Sequence, residues 1–463
     1  MLAVSQSGDH LFLSDAEVAS LRSDPTVLSL ERQAALRARY FLASASAQGS
    51  DRLLVSRRAA RRETISNGPS LHIIVPTLQC AHSCKYCQVS RSLDDDGHAM
   101  SVETLDMACD SIFESPSPTL TVEFQGGDPL LRFDLVRHAI ERIVGRNLQE
   151  KRKLRFVIAS TLHQLTPAMC EFLKGHGVFL STSIDGPAAL HNKNRPTASR
   201  DAYQRTVEAM NLARAAIGSD SVSALMTTTR ESLGQPEDIV DEYVRLGLHD
   251  IFVRPLSAYG FAKRNQLVLA YSLEEFNVFY ERALDRVLFW NQQGIELREV
   301  YASILLNKIL SPFDSGYVDL QSPTGAGSSV LVYNYDGYVY PSDEARMLAE
   351  TGDVSLRLGR IGTPLQQLAQ TEVMRALVEA SLTENSDACR ECAYNQFCAP
   401  NPVDAQAQMG SMFAPVAYTE HCQRHIRLFD SFFEKVRQAD EWTLDLFHSW
   451  AQPLELEPPC VAQ

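Results

Sequence analysis

The run Cys80-Ala-His-Ser-Cys84-Lys-Tyr-Cys87 constrains this chain more than any other. It follows Leu71-His-Ile-Ile-Val75, an apolar, β-branched stretch that reads as a strand. Three thiolates in so short a loop can converge on one point, which suits an iron–sulfur cube held at three corners with the fourth iron left open. A closed structural site would need a fourth ligand. No further Cys or ligand His follows within reach, and His82 inside the loop has the wrong spacing for a cube corner. The fold must therefore present this loop where a ligand can meet it.

From Leu71 onward, apolar strand patterns alternate with amphipathic helical ones. Strands are expected at 71–76, 119–124, 154–159, 178–183, 221–227 and 250–254, with helices near 101–114, 133–147, 166–174, 201–216 and 236–246. This alternation predicts an α/β fold, a partial (β/α)6 TIM-like barrel over 67–270 with its working groups at the carboxyl ends of the strands. Residues 1–66 predict a small α+β extension. It comprises two strands around Ser7-Gly8-Asp9, a helix opened by the capping box Ser14-Asp-Ala-Glu17, and a helix from Ser29 to about Ala45. The basic run Arg57-Arg58-Ala-Ala-Arg61-Arg62, with Arg52, reads as a solvated linker. A helical linker follows at 271–329, opened by Ser272-Leu-Glu-Glu275. A C-terminal module at 330–425 starts with a hairpin turned at Asp336-Gly337, and a helix and tail fill 426–463.

The net charge of −14 over 463 residues argues against a nucleic-acid partner held through its phosphates. Cys389, Cys392, Cys398 and Cys422 form a second cluster, whereas Cys109, Cys170 and Cys460 are isolated and read as buried or tail residues. Clustering of this kind indicates metal binding in a reducing compartment rather than a disulfide framework. With no signal peptide and no apolar run near about 18 residues, a cytoplasmic protein without a membrane partner is expected. The spacing of the second cluster permits structural zinc as well as iron–sulfur.

The C-x3-C-x-aromatic-C loop resembles the signature of the radical S-adenosylmethionine (SAM) enzymes. The resemblance implies a 4Fe–4S cluster on Cys80, Cys84 and Cys87 whose open iron binds SAM, and reductive cleavage of SAM to a 5′-deoxyadenosyl radical that abstracts hydrogen. Tyr86 resembles the family's aromatic residue beside the adenine. Gln125-Gly126-Gly127-Asp128-Pro129, at the end of the second strand, could be no more than a turn. It is similar to the Gly-Gly-Glu motif that binds SAM's amino group, with Asp in place of Glu. Ser181-Thr-Ser183-Ile-Asp185-Gly-Pro187, followed by Arg195, is similar to the ribose-binding segment of peptide-modifying members; helix capping by Ser183 and Asp185 is the alternative, and their position at a strand end favours ribose contact. Thr227 and Arg254 fall at the expected barrel mouth, where Arg254 could face SAM or a substrate carboxylate.

Cys389-x2-Cys392-x5-Cys398 and Cys422 resemble the SPASM extension of radical SAM peptide maturases, with departures that fall together. The position four beyond Cys398 is Pro402, the Gly337-x4 position is Ser342, and no Cys lies in the segment upstream of Gly337. The resemblance implies that the nearer auxiliary cluster is lost and one auxiliary 4Fe–4S cluster remains, for about eight iron atoms per chain. Asp343 and Glu344, beside the vanished ligand, become candidates for substrate deprotonation, or simply an acidic hairpin end. Gln88-Val-Ser-Arg91, Phe124 to Pro129 and Tyr340 to Arg346 look most like the B-type maturase of His-Xaa-Ser peptide systems. That implies a ribosomal precursor peptide as substrate and oxidative cross-linking as the outcome. It also implies a reductant such as flavodoxin or ferredoxin, and a second radical SAM maturase as partner. The N-terminal extension resembles a leader-peptide recognition domain. The competing readings are a sulfatase-type formylglycine maturase and a non-enzymatic iron–sulfur scaffold or electron-transfer protein.

Overall fold

A computed structural model describes residues 1–42, 48–94, 96–257 and 259–452, so Ala45 and Cys460 lie outside the described residues. At the N-terminus β1 (Leu2–Val4) pairs antiparallel with β2 (His10–Phe12), as the turn residues require. Ser14 and Glu17 cap α1 (Asp15–Ser23) reciprocally, with Ser14 N–H donating to Glu17 at 2.7 Å. After α2 (Leu30–Ala38) comes a difference from expectation. The basic run is no linker but part of the 19-residue helix α3 (Gln48–Ser66). Three of its arginines have partners: Arg57 pairs with Asp9, and Arg62 pairs with Glu384 at 3.1 Å. Arg61 donates to the Gln396 carbonyl at 2.6 Å and lies over the Phe397 ring. The extension is thereby pinned against the C-terminal cysteine loop.

The barrel runs β3 (Leu71–Thr77), α4 (Val102–Ile112), β4 (Thr119–Gly126), α5 (Phe133–Glu150), β5 (Lys153–Ala159), α6 (Pro167–Gly175), β6 (Val178–Ser183), α7 (Ala188–Asn194), α8 (Ala202–Ala216), β7 (Val222–Thr227) and α9 (Pro236–Arg245). The expected sixth strand is split into β8 (Asp250–Ile251) and β9 (Val253–Arg254). β9 continues the sheet beside β7, whereas β8 pairs with β10 (Arg298–Glu299). Strand residues alternate with a period of two. Leu120, Val122 and Phe124 of β4 are buried under the helices, and Glu123 and Gln125 turn to the barrel interior.

Short helices α10 (Gly260–Arg264) and α11 (Gln266–Leu269) lead to α12 (Leu273–Gln292), capped at Ser272 by the expected box, and then to α13 (Val300–Leu310). β11 (Val330–Tyr333) and β12 (Tyr338–Tyr340) form the expected hairpin. This hairpin is not confined to a separate module, because β11 also pairs in parallel with β3, Val332 opposite Ile73. The result is one nine-stranded sheet in the order β13-β12-β11-β3-β4-β5-β6-β7-β9, with β13 at Gly359–Arg360. α14 (Asp343–Ala349) leaves the hairpin toward the barrel mouth. α15 (Leu365–Leu368), α16 (Glu372–Ser381), α17 (Asp387–Arg390), α18 (Pro402–Met409), α19 (Glu420–Gln438) and α20 (Glu441–Trp450) complete the described chain. A continuous apolar core joins barrel and C-terminal region, from Ile73 through Val332 to Phe429. No described helix is long and apolar enough to cross a membrane.

Candidate active site

The carboxyl ends of the barrel strands enclose a cavity of about 220 Å³. Cys80, Cys84, Tyr86 and Cys87 line one side of it. Gln125, Gly126, Gly127, Ser160, Thr161, Ser183, Arg195, Thr227, Arg254 and Asp343 line the rest. The cysteine loop is held by its backbone. Cys80 N–H donates to Ser92 O at 3.0 Å, Ser83 N–H to Pro196 O at 2.9 Å, Lys85 N–H to Asn194 O at 3.1 Å, and Phe261 N–H to Cys87 O at 2.8 Å. Gly126 and Gly127 serve this loop as well as the cavity. A Cβ on Gly126 would fall on the Thr77 carbonyl oxygen, and one on Gly127 on those of Leu78 and Gln79. Their need for glycine is thus close approach of two backbones.

The donor set fits the iron–sulfur cluster. Three free thiols share one cavity edge, with no fourth protein ligand beside them among the described residues. Burial pushes the Cys84 thiol up to about 12 against the nearby Arg195, and a bound metal would favour its thiolate. His82 does not join them. Its Nε2 lies 3.1 Å from His163 Nδ1, and His163 Nε2 faces the Ala202 carbonyl at 3.2 Å. Burial holds His82 near 2, hence neutral.

Two expected SAM contacts are turned away from the cavity. Asp185 is fully buried, and its carboxylate accepts from the Tyr86 hydroxyl at 2.8 and 2.7 Å and from Arg195 Nε at 3.3 Å. It positions two cavity-lining side chains and leaves the cavity itself to Ser183 and Thr227. Asp128 is likewise fully buried. It accepts from Ser160 Oγ at 2.6 Å, from Thr161 Oγ1, and from Leu130 N–H at 3.2 Å. Burial raises Asp128, opposed by those hydroxyls. The shorter Asp arm is satisfied locally and does not line the cavity.

On the far wall, Asp343 pairs with Arg346, whose Nε donates at 2.8 Å from a fully buried position. Glu344 does not line the cavity. Burial first, then neighbouring Asp319 and Asp343, raise it to about 7. The two positions that depart from the SPASM pattern start helices: Ser342 Oγ caps α14 by accepting from Ala345 N–H at 3.2 Å, and Pro402 opens α18 after its cap Asn401. Sequence reasoning missed Glu123, which accepts from cavity-lining Gln125 at 2.9 Å and is raised by burial. Its signal was a carboxylate on the inward, polar face of an alternating strand, among Thr119, Thr121 and Gln125.

The second cysteine set also converges. Burial raises the Cys398 thiol, reinforced by Cys422, Cys389 and Cys392 around it, and all four are free. His421 and His425, both buried, lie with Cys398 in a group whose donor atoms are within 4.8 Å of one another. His425 is committed elsewhere, with Nδ1 2.7 Å from His421 O and Nε2 2.5 Å from the Tyr301 hydroxyl. A carbonyl can only accept, so Nδ1 carries the proton and Tyr301 donates to Nε2.

Residues 74–243 match the radical SAM superfamily model, and the chain carries a radical SAM domain. Such a domain implies a 4Fe–4S cluster and SAM, in agreement with the three-cysteine cavity. An uncharacterized protein of Methanothermobacter thermautotrophicus is 27% identical over 179 residues, covering 38% of this chain and 64% of its own length. Among solved structures, anSMEcpe with bound AdoMet and Cp18Cys peptide superposes with a TM-score of 0.67 at 17% identity, covering 82% of this chain and 100% of that one. Streptococcus suis SuiB bound to precursor peptide SuiA gives 0.58 at 14% identity, covering 91% and 100%. At these identities the likeness is one of fold.

Proposed function

We propose that this chain is a radical SAM peptide maturase acting on a ribosomally made precursor, of the His-Xaa-Ser type that its cysteine-loop, Gly-Gly-Asp and Tyr340–Arg346 segments resemble. The observation that carries the reading is Asp343, ion-paired to Arg346, on the same cavity wall system as Cys80, Cys84 and Cys87. A base thus stands across from the place where a radical would be made. The solved complexes of anSMEcpe and SuiB with peptides support a peptide substrate.

When bound on Cys80, Cys84 and Cys87, the cluster and SAM supply the 5′-deoxyadenosyl radical that removes hydrogen from the peptide. Ser183, Thr227, Tyr86, Gln125, Gly126 and Gly127 line the cavity. There Ser183 and Thr227 would offer hydroxyls to the ribose of bound SAM, Tyr86 would flank its adenine, and Gln125, Gly126 and Gly127 would border its methionine end. Arg254, also in the cavity wall, would face SAM or a substrate carboxylate. Asp343 accepts the proton released as the peptide is oxidised, its geometry fixed by Arg346. Cys389, Cys392, Cys398 and Cys422 would hold a single auxiliary 4Fe–4S cluster, which when bound would offer an acceptor for an electron. Flavodoxin or ferredoxin supplies the low-potential electron, a second radical SAM maturase acts alongside, and residues 1–66 engage the leader.

Anaerobic SAM cleavage by the reconstituted protein, with and without a His-Xaa-Ser precursor, tests this reading. Deoxyadenosine coupled to a peptide loss of about 2 Da is expected, since two hydrogens leave. Stimulation by a sulfatase peptide instead would favour formylglycine formation. Intact SAM with both clusters loaded would leave the scaffold reading.

A further inference from the structure

Below the cofactor cavity the barrel holds a second chamber of about 420 Å³, a volume typical of small-ligand pockets. Ser181 and Leu225 line both spaces, so the two share a wall. The lower chamber is mostly apolar, walled by Val157, Phe179, Leu248 and Phe252. Into it projects Arg155 from β5, its guanidinium 5.1 Å from the centre of the Phe179 ring.

Arg155 makes no ion pair and no side-chain hydrogen bond among the described residues, and its Nε is buried without a partner. Of the other charged side chains of the chamber, Arg298, Asp250 and Arg214 are engaged by partners, and the exposed Asp220 makes no ion pair among the described residues. Arg298 pairs with Asp250 at 2.7 Å, and Arg214 donates to the Leu246 carbonyl at 2.7 Å and stands near Asp220. Glu123, the nearest carboxylate to influence Arg155, is engaged by Gln125 and lies beyond ion-pair distance. An arginine keeps its charge at any working pH. The Arg155 Nε is sealed against the apolar walls at a cost, while the two terminal nitrogens stay open to the chamber, free to meet an anion there.

We infer that this chamber is a binding site for a carboxylate carried on an apolar body, with Arg155 as its anchor and Phe179, Val157 and Phe252 as its walls. The carboxyl terminus of a peptide and a free small carboxylic acid share this chemistry. A planar guanidinium with a free edge suits a carboxylate bound through two N–H groups.

The test is calorimetry on the reconstituted full chain with N-acetyl-Leu-Phe as the free acid and as the C-terminal amide. The acid is expected to bind, and the amide and the Arg155→Met variant to lose at least about tenfold in affinity. Val157→Trp, which fills the chamber and keeps the Arg155 charge, should abolish binding while iron content and SAM binding stay normal. Equal binding of acid and amide, or of wild type and Arg155→Met, overturns the assignment, as does absence of binding by the acid. A precursor peptide with a free or an amidated carboxyl terminus separates the sources. Weaker binding of the amidated form identifies the peptide terminus as occupant, and equal binding of the two with continued binding of N-acetyl-Leu-Phe identifies a free acid.

Discussion

The Tyr86 hydroxyl donates to both oxygens of the Asp185 carboxylate, at 2.8 and 2.7 Å, while Arg195 closes on the same group from the other side and stacks 5.1 Å over the Tyr86 ring. This buried triad ties the cysteine loop to the end of β6. Burial alone would lower Arg195, and the neighbouring Asp185 and Tyr86 raise it instead. Asp185→Asn leaves a buried guanidinium uncompensated, a loss of about 3–5 kcal/mol. Thermal unfolding should show that loss, and SAM affinity measured calorimetrically should fall with it, because Tyr86 and Arg195 lose their shared anchor. Ser183→Ala should weaken SAM binding by only about 1 kcal/mol, the worth of one hydrogen bond, with unfolding unchanged.

Gly127→Ala should disable the cluster site from behind. The new methyl would meet two carbonyl oxygens of the segment leading into Cys80, which is backbone and has no rotamer to give. Iron retained at the first site after reconstitution, read by its charge-transfer absorption, should drop severely. Gly145→Ala on α5, where a Cβ meets nothing, should leave iron content unchanged.

What could be read from the sequence was whatever local spacing encodes. The cysteine loop, the βα periods and the Ser14 and Ser272 capping boxes all depend on neighbours a few residues apart. The pairing of β11 with β3 was not legible, since parallel strands far apart in the chain leave no mark in either segment. Nor was the inward turn of Asp128 and Asp185. Each carboxylate sits where the resemblance expects it, but Ser160, Thr161, Tyr86 and Arg195 draw it into the protein. α3 was missed because its polar face is satisfied by residues as distant as Glu384 and Gln396.

The two acidic candidates separate cleanly. Asp343 lines the cavity, so Asp343→Asn should lower peptide modification by about 10²–10⁴-fold, the usual worth of a positioned base. Glu344→Gln removes a group outside the cavity and should cost far less. Deoxyadenosine formed without peptide should survive in both variants, which isolates the effect to the substrate step.

Cys398→Ala should reduce iron from about eight to about four atoms per chain, leaving the SAM-binding cluster in place. Zinc in the purified wild-type protein at this position, with about four irons, would instead make the second site structural. Elemental analysis together with electron paramagnetic resonance of the reduced protein distinguishes the two.

A last consequence concerns pH. Glu299 is fully buried at the start of α13, where burial raises it to about 7 against hydrogen bonds from the Tyr280 hydroxyl at 2.6 Å, Ala302 N–H at 2.5 Å and Val253 N–H at 3.1 Å. In the unfolded chain the same carboxyl titrates near its ordinary value of about 4.3. Between those values the folded protein holds a proton that the unfolded chain has lost, so stability falls as pH rises. The contribution of Glu299 is fully present below about pH 4 and gone above about pH 7, an upper bound of about 4 kcal/mol at one shift unit per 1.36 kcal/mol. Glu299→Gln should lower stability at every pH, since its amide faces N–H donors, yet flatten the slope between pH 5 and 7. Urea unfolding of both proteins at pH 5, 6 and 7 checks this. An unchanged slope in the variant would assign the dependence to another buried carboxyl such as Asp404, which burial raises to about 6.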